Sequence, residues 1–193
     1  MGTRHLICAS VDGVTKLAQY GQWDGYPEGQ GRDIMAFVKG NLMHLDKRDQ
    51  FLDNLRNSYF LTPEQCEEVD DGKRTRPASA NRDLGAQVLD LIMGGPQGLI
   101  DNIEFGKDSL FCEWAYWLDF DKNELEVYKG FNAKNGEPWV NNRFGDPLPD
   151  TFTYANGNEG MNEYNPVRLI RSFALYWLPD EHSFLQMIEA VAG

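Results

Sequence analysis

Hydrophobic and polar positions along this chain follow two different periods. Residues 6–11 and 14–20 flank Asp12-Gly13, a pair that readily takes the positive φ angles of a two-residue turn, so an N-terminal β-hairpin is predicted. The spacing then becomes helical. Ile34, Phe37, Val38 and Leu42 share one face, and Phe51, Leu52, Leu55 and Tyr59 another. Thr62-Pro63-Glu64-Gln65 opens a third helix, with Thr62 as cap, Pro63 at the first helical position and Gln65 completing a capping box. Residues 71–81 read as an exposed loop. A fourth helix gathers Leu84, Val88, Leu91 and Ile92 and stops at Gly94-Gly95-Pro96.

Period two returns in the second half. Leu110, Cys112, Trp114, Tyr116, Leu118 and Phe120 form an apolar stripe, Asp121-Lys122-Asn123 turns the chain, and Leu125 and Val127 come back on a second strand. Residues 132–165 are rich in Asn, Gly and Pro and too long for an ordinary connection. They carry Trp139, Phe144, Phe152 and Tyr154, so this segment is expected to fold back over the sheet and to cover or line a pocket. Strand character resumes over 167–175. A last helix follows Asp180, its cap, with Phe184, Leu185, Ile188 and Val191 facing inward. This order predicts an α+β fold: a mainly antiparallel sheet with helices packed on it, in a layered αββα-like form. One domain over 1–193 is expected, with the N-terminal hairpin joining the later strands and the long irregular loop at about 132–165.

Composition sharpens this picture. With 41% apolar residues and aromatics numbering 8 Tyr, 11 Phe and 5 Trp, the chain can fill a core, which excludes disorder throughout. No apolar run approaches the roughly 20 residues of a membrane span, and the N-terminus lacks the apolar stretch of a secretory signal. Eighteen Lys and Arg against 30 Asp and Glu give 18 − 30 = −12, a sign that repels nucleic-acid polymers and anionic membranes. Cys8, Cys66 and Cys112 are odd in number and without paired spacing, so a reducing cytoplasmic setting is expected.

Candidate chemistry concentrates in residues 18–31. Tyr20, Trp23 and Tyr26 offer flat faces, Gln22, Asp24 and Gln30 offer directional donors and acceptors, and the interleaved glycines allow close backbone approach. Such a mixture suits a planar polar small molecule, nucleotide-like in character, with a phosphate received at the helix start after Gly31 beside Arg32. The plainer alternative is a structured turn whose aromatics cap the sheet edge. Glu113 alternates with Phe111, Ala115 and Trp117 on a strand expected to be central. It is therefore either paired or functional, with Arg4 as its partner or as a ligand contact, or else exposed on a wet face. No metal or cofactor is expected. His5, His44 and His182 are widely separated, residues 119–130 depart from a calcium loop at Glu124 and Gly130, and Gly29-Gln30-Gly31 lacks the third glycine of a dinucleotide fingerprint.

The N-terminal Met1-Gly2-Thr3-Arg4, the motif at 18–27, Gly29-Gln30-Gly31, Cys112-Glu113-Trp114-Ala115-Tyr116, Leu118-Asp119-Phe120 and Leu125-Glu126-Val127-Tyr128 together resemble a protein family of bacteriophages, bacteria and some fungi. That family has no settled activity, so the resemblance implies kinship rather than mechanism. It does suggest one concrete form of the expected function: a non-catalytic binding protein that sequesters a host nucleotide signal as a counter-defence device, possible also as a homo-oligomer. Two alternatives stand beside it. One is an N-terminal-nucleophile-like hydrolase of amide or nucleotide substrates using Thr3 or Cys8. Against it, loss of Met1 would expose Gly2, and His5 and Cys8 point to opposite faces of one strand. The other is an acidic protein–protein inhibitor. Candidate ligand contacts are Arg4, Tyr20, Gln22, Trp23, Asp24, Tyr26, Gln30 and Glu113.

Overall fold

The structure is a computed structural model in which residues 2–135, 140, 142–153 and 159–192 are described. Strands β1 (His5–Val11) and β2 (Val14–Gly21) form the expected hairpin, with Asp12 and Gly13 at φ 55° and 72°. Both turn amides donate to the carboxylate of Asp121 at 2.9 Å, which ties this turn to the neighbouring one at 121–123. The chain then passes through a π-helical turn (Pro27–Gly31), α1 (Arg32–Phe37), α2 (Leu45–Asn57), β3 (Tyr59–Phe60), α3 (Pro63–Asp70), α4 (Gln87–Gly94) and β4 (Gly98–Leu99). Next come β5 (Trp114–Asp119), β6 (Glu124–Lys129), the short pair β7 (Thr151–Thr153) and β8 (Glu159–Met161), β9 (Arg168–Ala174) and α5 (Glu181–Ala192).

The main sheet has the order β2-β1-β5-β6-β9, so the fold is α+β with a mainly antiparallel sheet. The N-terminal hairpin does join the later strands, but through a parallel pair, His5 opposite Trp114 to Ser10 opposite Asp119. A long helical excursion separates β2 from β5, and such a crossover can return the chain in either direction, unlike a tight turn. Several element limits also differ from expectation. Strand β5 begins at Trp114, leaving Leu110 and Phe111 exposed, because the backbone at 108–112 curls into local turns. Tyr59 leaves the α2 face to pair with Gly98 in β3. Within 132–165, β7 and β8 do supply a short antiparallel ladder.

Both faces of β1 are buried. Ile7, Ala9 and Val11 meet α1, α2, α4 and α5 through Ile34, Phe37, Phe51, Leu55, Leu89, Ile92, Phe184 and Ile188. Capping follows the sequence: Thr62 and Gln65 form the reciprocal capping box of α3, and the carboxylate of Asp180 accepts the Ser183 amide at 2.9 Å before α5. On the opposite face Leu6, Cys8, Ala18, Cys112, Ala115, Trp117 and Tyr128 are covered by irregular chain rather than by a second helical layer. The expectation that 132–165 folds over the sheet holds at Phe144, whose ring meets Trp117 and Tyr128 edge-on at 5.6 and 5.1 Å. The side chains of Trp139, Phe152 and Tyr154 lie outside the described residues. Among the described residues no helix is long and apolar enough to cross a membrane.

A buried ion cluster clips this cover down. The guanidinium of Arg143 donates to both Asp119 and Glu126, one of these bonds being 2.8 Å, and stacks 4.9 Å over Trp117. Tyr128 Oη donates to Glu126 at 2.7 Å. Both carboxylates are almost wholly buried, with side-chain exposures of 4%. Burial alone would raise the Asp119 pKa, but the Lys122 amide and Arg143 outweigh it and hold the carboxyl below its usual value.

Two outcomes follow from this packing. Arg143→Met strands two buried carboxylates and is expected to cost about 3–5 kcal/mol, much of it regained when D119N and E126Q are added. Urea unfolding of the three proteins reads both effects, and a single variant as stable as its parent would show that the cluster holds nothing in place. The thiols of Cys8 and Cys112 are fully buried and pushed well above the ordinary thiol pKa by that burial, so they should label slowly in the native state and quickly in urea. Cys66, half-buried on α3, should label first; rapid native labelling of Cys8 would contradict the packing described.

Candidate functional site

Residues 21–31 are pinned onto the end of the sheet. The Gly25 amide donates to the Thr3 carbonyl at 3.0 Å, and the Gly25 carbonyl accepts Tyr116 Oη at 2.9 Å. Asp24 sits at φ +54°, and its carbonyl accepts the Gln30 amide at 2.9 Å. Facing this loop is the segment 82–90. The Gln22 amide donates to the Arg82 carbonyl at 2.9 Å, Trp23 Nε1 donates to Asp83 at 2.7 Å, and Gln30 Oε1 accepts the Ala86 amide at 2.6 Å. Gly85 makes the last contact possible. Its φ is +52°, and a β-carbon there would lie 2.3 Å from Gln30 Oε1.

Between the two segments lies a cleft of about 550 Å³. Trp23, Asp24 and Gln30 line it, together with His5, Asp33, Phe37, Asp83 and Asp90. His5 is the least ordinary of these. It faces the helical side of β1, in step with Ile7 and Ala9, and its ring is shut between Gly21 and Gly25. A β-carbon at Gly21 would lie 2.2 Å from the imidazole, and one at Gly25 would lie 2.8 Å from the His5 Cβ. Neither ring nitrogen has a hydrogen-bond partner among the described residues. Burial draws its pKa from 6.5 down to about 4, against the smaller opposing pulls of the Thr3 carbonyl and the Asp24 carboxylate. Neutral at pH 7, His5 carries one donor nitrogen, with the Thr3 carbonyl near the ring but outside hydrogen-bond geometry, and one acceptor nitrogen that meets no described donor.

The other sequence candidates lie elsewhere. Tyr20 packs edge-on against Phe105 at 4.9 Å and donates to Gln22 Oε1 at 2.5 Å, so both are spent on local structure beside the cleft. Tyr26 is exposed but is not part of the lining. The Arg4 guanidinium lies 4.5 Å over the Phe111 ring. Arg4 and Glu113 do meet, but through the Arg4 amide, which donates to Glu113 Oε1 at 3.3 Å, and not through the guanidinium; Glu113 itself precedes β5. The expected phosphate cradle after Gly31 is corrected. The amides of Gly29, Gln30 and Gly31 are spent on the carbonyls of Tyr26 and Asp24, and Arg32 turns to Asp33 and Glu181.

Sequence reasoning missed His5, Asp33, Arg82, Asp83 and Asp90. For His5 a signal existed, a polar ring at the head of an otherwise apolar strand and of the same parity as its core residues. For the others none did, since charged residues around a helix start read as ordinary surface. Nucleophilic chemistry finds little support here: Cys8 is fully buried on the opposite face of β1 from His5. Among the described residues no three His, Cys, Asp or Glu side chains converge as a metal site would require.

The orphaned histidine has a pH signature. Above pH 6.5 both folded and unfolded chains carry it neutral. As pH falls from 6.5 to 4 the unfolded chain takes up a proton that the folded chain refuses, so stability is lost through that window. The difference, 6.5 − 4 = 2.5 pH units, corresponds to roughly 3 kcal/mol. His5→Phe keeps a flat ring without the nitrogens and should flatten the acid side of the stability profile. Equal slopes for the two proteins in urea titrations at stepped pH would contradict the burial of His5.

No family model matches the chain, nor does any curated protein sequence or solved structure.

Proposed function

We propose that this chain is a small-molecule binding protein, not a catalyst, and that it holds a planar polar ligand in the cleft between residues 21–31 and 82–90. The observation that supports this most is the meeting, in one cleft, of Trp23, Asp24 and Gln30 with a buried histidine whose ring nitrogens are unspent. Buried polar groups are nearly always satisfied, and an exception in a cleft marks a place where an incoming group gains a hydrogen bond that the fold leaves unmade. Trp23 adds a flat surface: the residue is 46% exposed, while Nε1 is held by Asp83.

The electrostatics reshape the nucleotide-like part of the reading. Asp24, Asp33, Asp83 and Asp90 line the cleft with Arg82 among them and Arg32 3.6 Å from Asp33, and the whole chain carries −12, so a phosphorylated ligand meets net repulsion from both. A planar, base-like moiety fits; a polyphosphate does not. Sequestration of a host signal therefore survives only for a signal without phosphates on the bound portion.

Mass spectrometry of small molecules released when the purified protein is denatured tests the reading directly. A planar polar compound recovered intact is the expected result, and a reaction product would transfer the case to a hydrolase. Trp23→Ala should weaken rebinding of that compound by about 1–3 kcal/mol with the fold preserved. Unchanged affinity would move the ligand out of this cleft.

A further inference from the structure

We propose that the cleft selects a planar organic cation of the guanidinium or amidinium class, its charge met by the four aspartates, its face by the Trp23 ring, and one N–H by the unspent acceptor nitrogen of His5. The inference rests on the small-molecule reading and deepens it by naming the ligand class.

Three independent features point the same way. The first is charge. Four carboxylates and one guanidinium line the cleft, so 1 − 4 = −3 formal charges surround whatever enters. Arg82, 4.0 Å from Asp83, and Arg32, outside the lining and 3.6 Å from Asp33, do little to cancel this, since all four side chains are at least half exposed. The second is the hydrogen-bonding inventory. Carboxylates only accept, and those of Asp24, Asp33, Asp83 and Asp90 together with one imidazole nitrogen outnumber the donor side chains of the lining, Arg82, Gln30 and Gln87. The free capacity is therefore rich in acceptors and calls for a ligand rich in N–H donors, as guanidinium and amidinium groups are. The third is the dispersal of the charge. The described carboxylates do not converge closely enough with one another or with His5 to hold a metal ion. A negative field spread around a flat indole suits a delocalised, plate-like cation, which also gains from the face of the ring.

His5 separates this arrangement from a mere acidic surface. It forms the floor of the cleft beneath Asp24 and Gly25, and it is already stripped of water. An N–H that reaches it gains a hydrogen bond that the fold leaves unmade, set against the loosening of the Gly25 contacts with Thr3 and Tyr116 that now close over the ring. A cation gains most, because at neutral pH the ring is uncharged and does not repel it.

The test uses three probes with one ring and three charges: benzamidine, benzamide and benzoate. Each is titrated into the full ¹⁵N-labelled chain at pH 7, following the Trp23 indole N–H, assigned with Trp23→Phe, and the His5 ring nitrogens. Benzamidine should shift both sets of signals and bind about tenfold tighter than benzamide or more, with benzoate weakest. Asp33 and Asp90 are exposed, so D33N with D90N should fold normally and reduce benzamidine affinity by about fivefold or more, with benzamide unaffected. Equal or tighter binding of benzamide or benzoate, a benzamidine response that ignores the two aspartates, or no response to any probe would overturn the cation assignment. A Trp23 shift with a still His5 ring would overturn the role given to His5. The parent reading fails separately, when the molecule released on denaturation leaves Trp23 unmoved on rebinding; a neutral or anionic molecule that does move it would keep that reading and reject this one.

Discussion

Every residue of β1 is buried, and that single condition organises the molecule. A strand sealed on both faces needs two covers, and its seven positions divide between them by parity. The odd positions Ile7, Ala9 and Val11 draw in the amphipathic helices, while Leu6 and Cys8 require a second cover that the helices do not supply. Largely irregular chain provides it, and where that chain lacks a ladder side chains help to hold it. Arg143 does this by reaching two carboxylates that lie in the sheet itself.

The two buried polar centres thus stand in contrast. At Asp119, Glu126, Tyr128 and Arg143 each charge meets an opposite charge or a hydroxyl, and the cluster fastens the cover. At His5 the fold buries a polar ring and leaves it without a partner. The burial is enforced from both sides by glycines, since a side chain at Gly21 or Gly25 would occupy the space of the imidazole. A cost of this kind is tolerable in a marginally stable chain only where something offsets it, either surrounding packing or a group that arrives later. Its position on the floor of an acidic cleft favours the second.

The cleft itself arises from a crossing of distant segments. Residues 21–31 are fixed to the sheet by Thr3 and Tyr116, and residues 82–90 are fixed to the helical layer by Ala86, Val88 and Leu89. Three hydrogen bonds join the segments, and charge lines the gap between them. Both walls are therefore anchored where they meet the core.

Much of this was legible in the sequence, wherever the governing interaction is local. The Asp12-Gly13 turn, the Thr62 capping box, the Asp180 cap and the stop at Gly94-Gly95-Pro96 depend on neighbouring residues, and so the α+β class and most helices followed from the pattern alone. The loop at 20–30 was recognisable too, since few other stretches combine glycine, aromatic and amide residues so densely. Local spacing could not say that β1 and β5 run parallel, because that register is decided by a crossover about ninety residues long. Nor could it say which members of the loop face the cleft. Tyr20 and Gln22 satisfy each other while Tyr20 packs on Phe105, and Arg4 is drawn to Phe111 and Glu113, contacts between residues far apart along the chain. The main helices, the two hairpin turns, the caps and the net charge are written locally, set by nearest neighbours or by simple addition. That His5 is buried unpaired and that four scattered aspartates share one cleft came from the folded arrangement, because burial and field depend on distances between segments that no local period encodes.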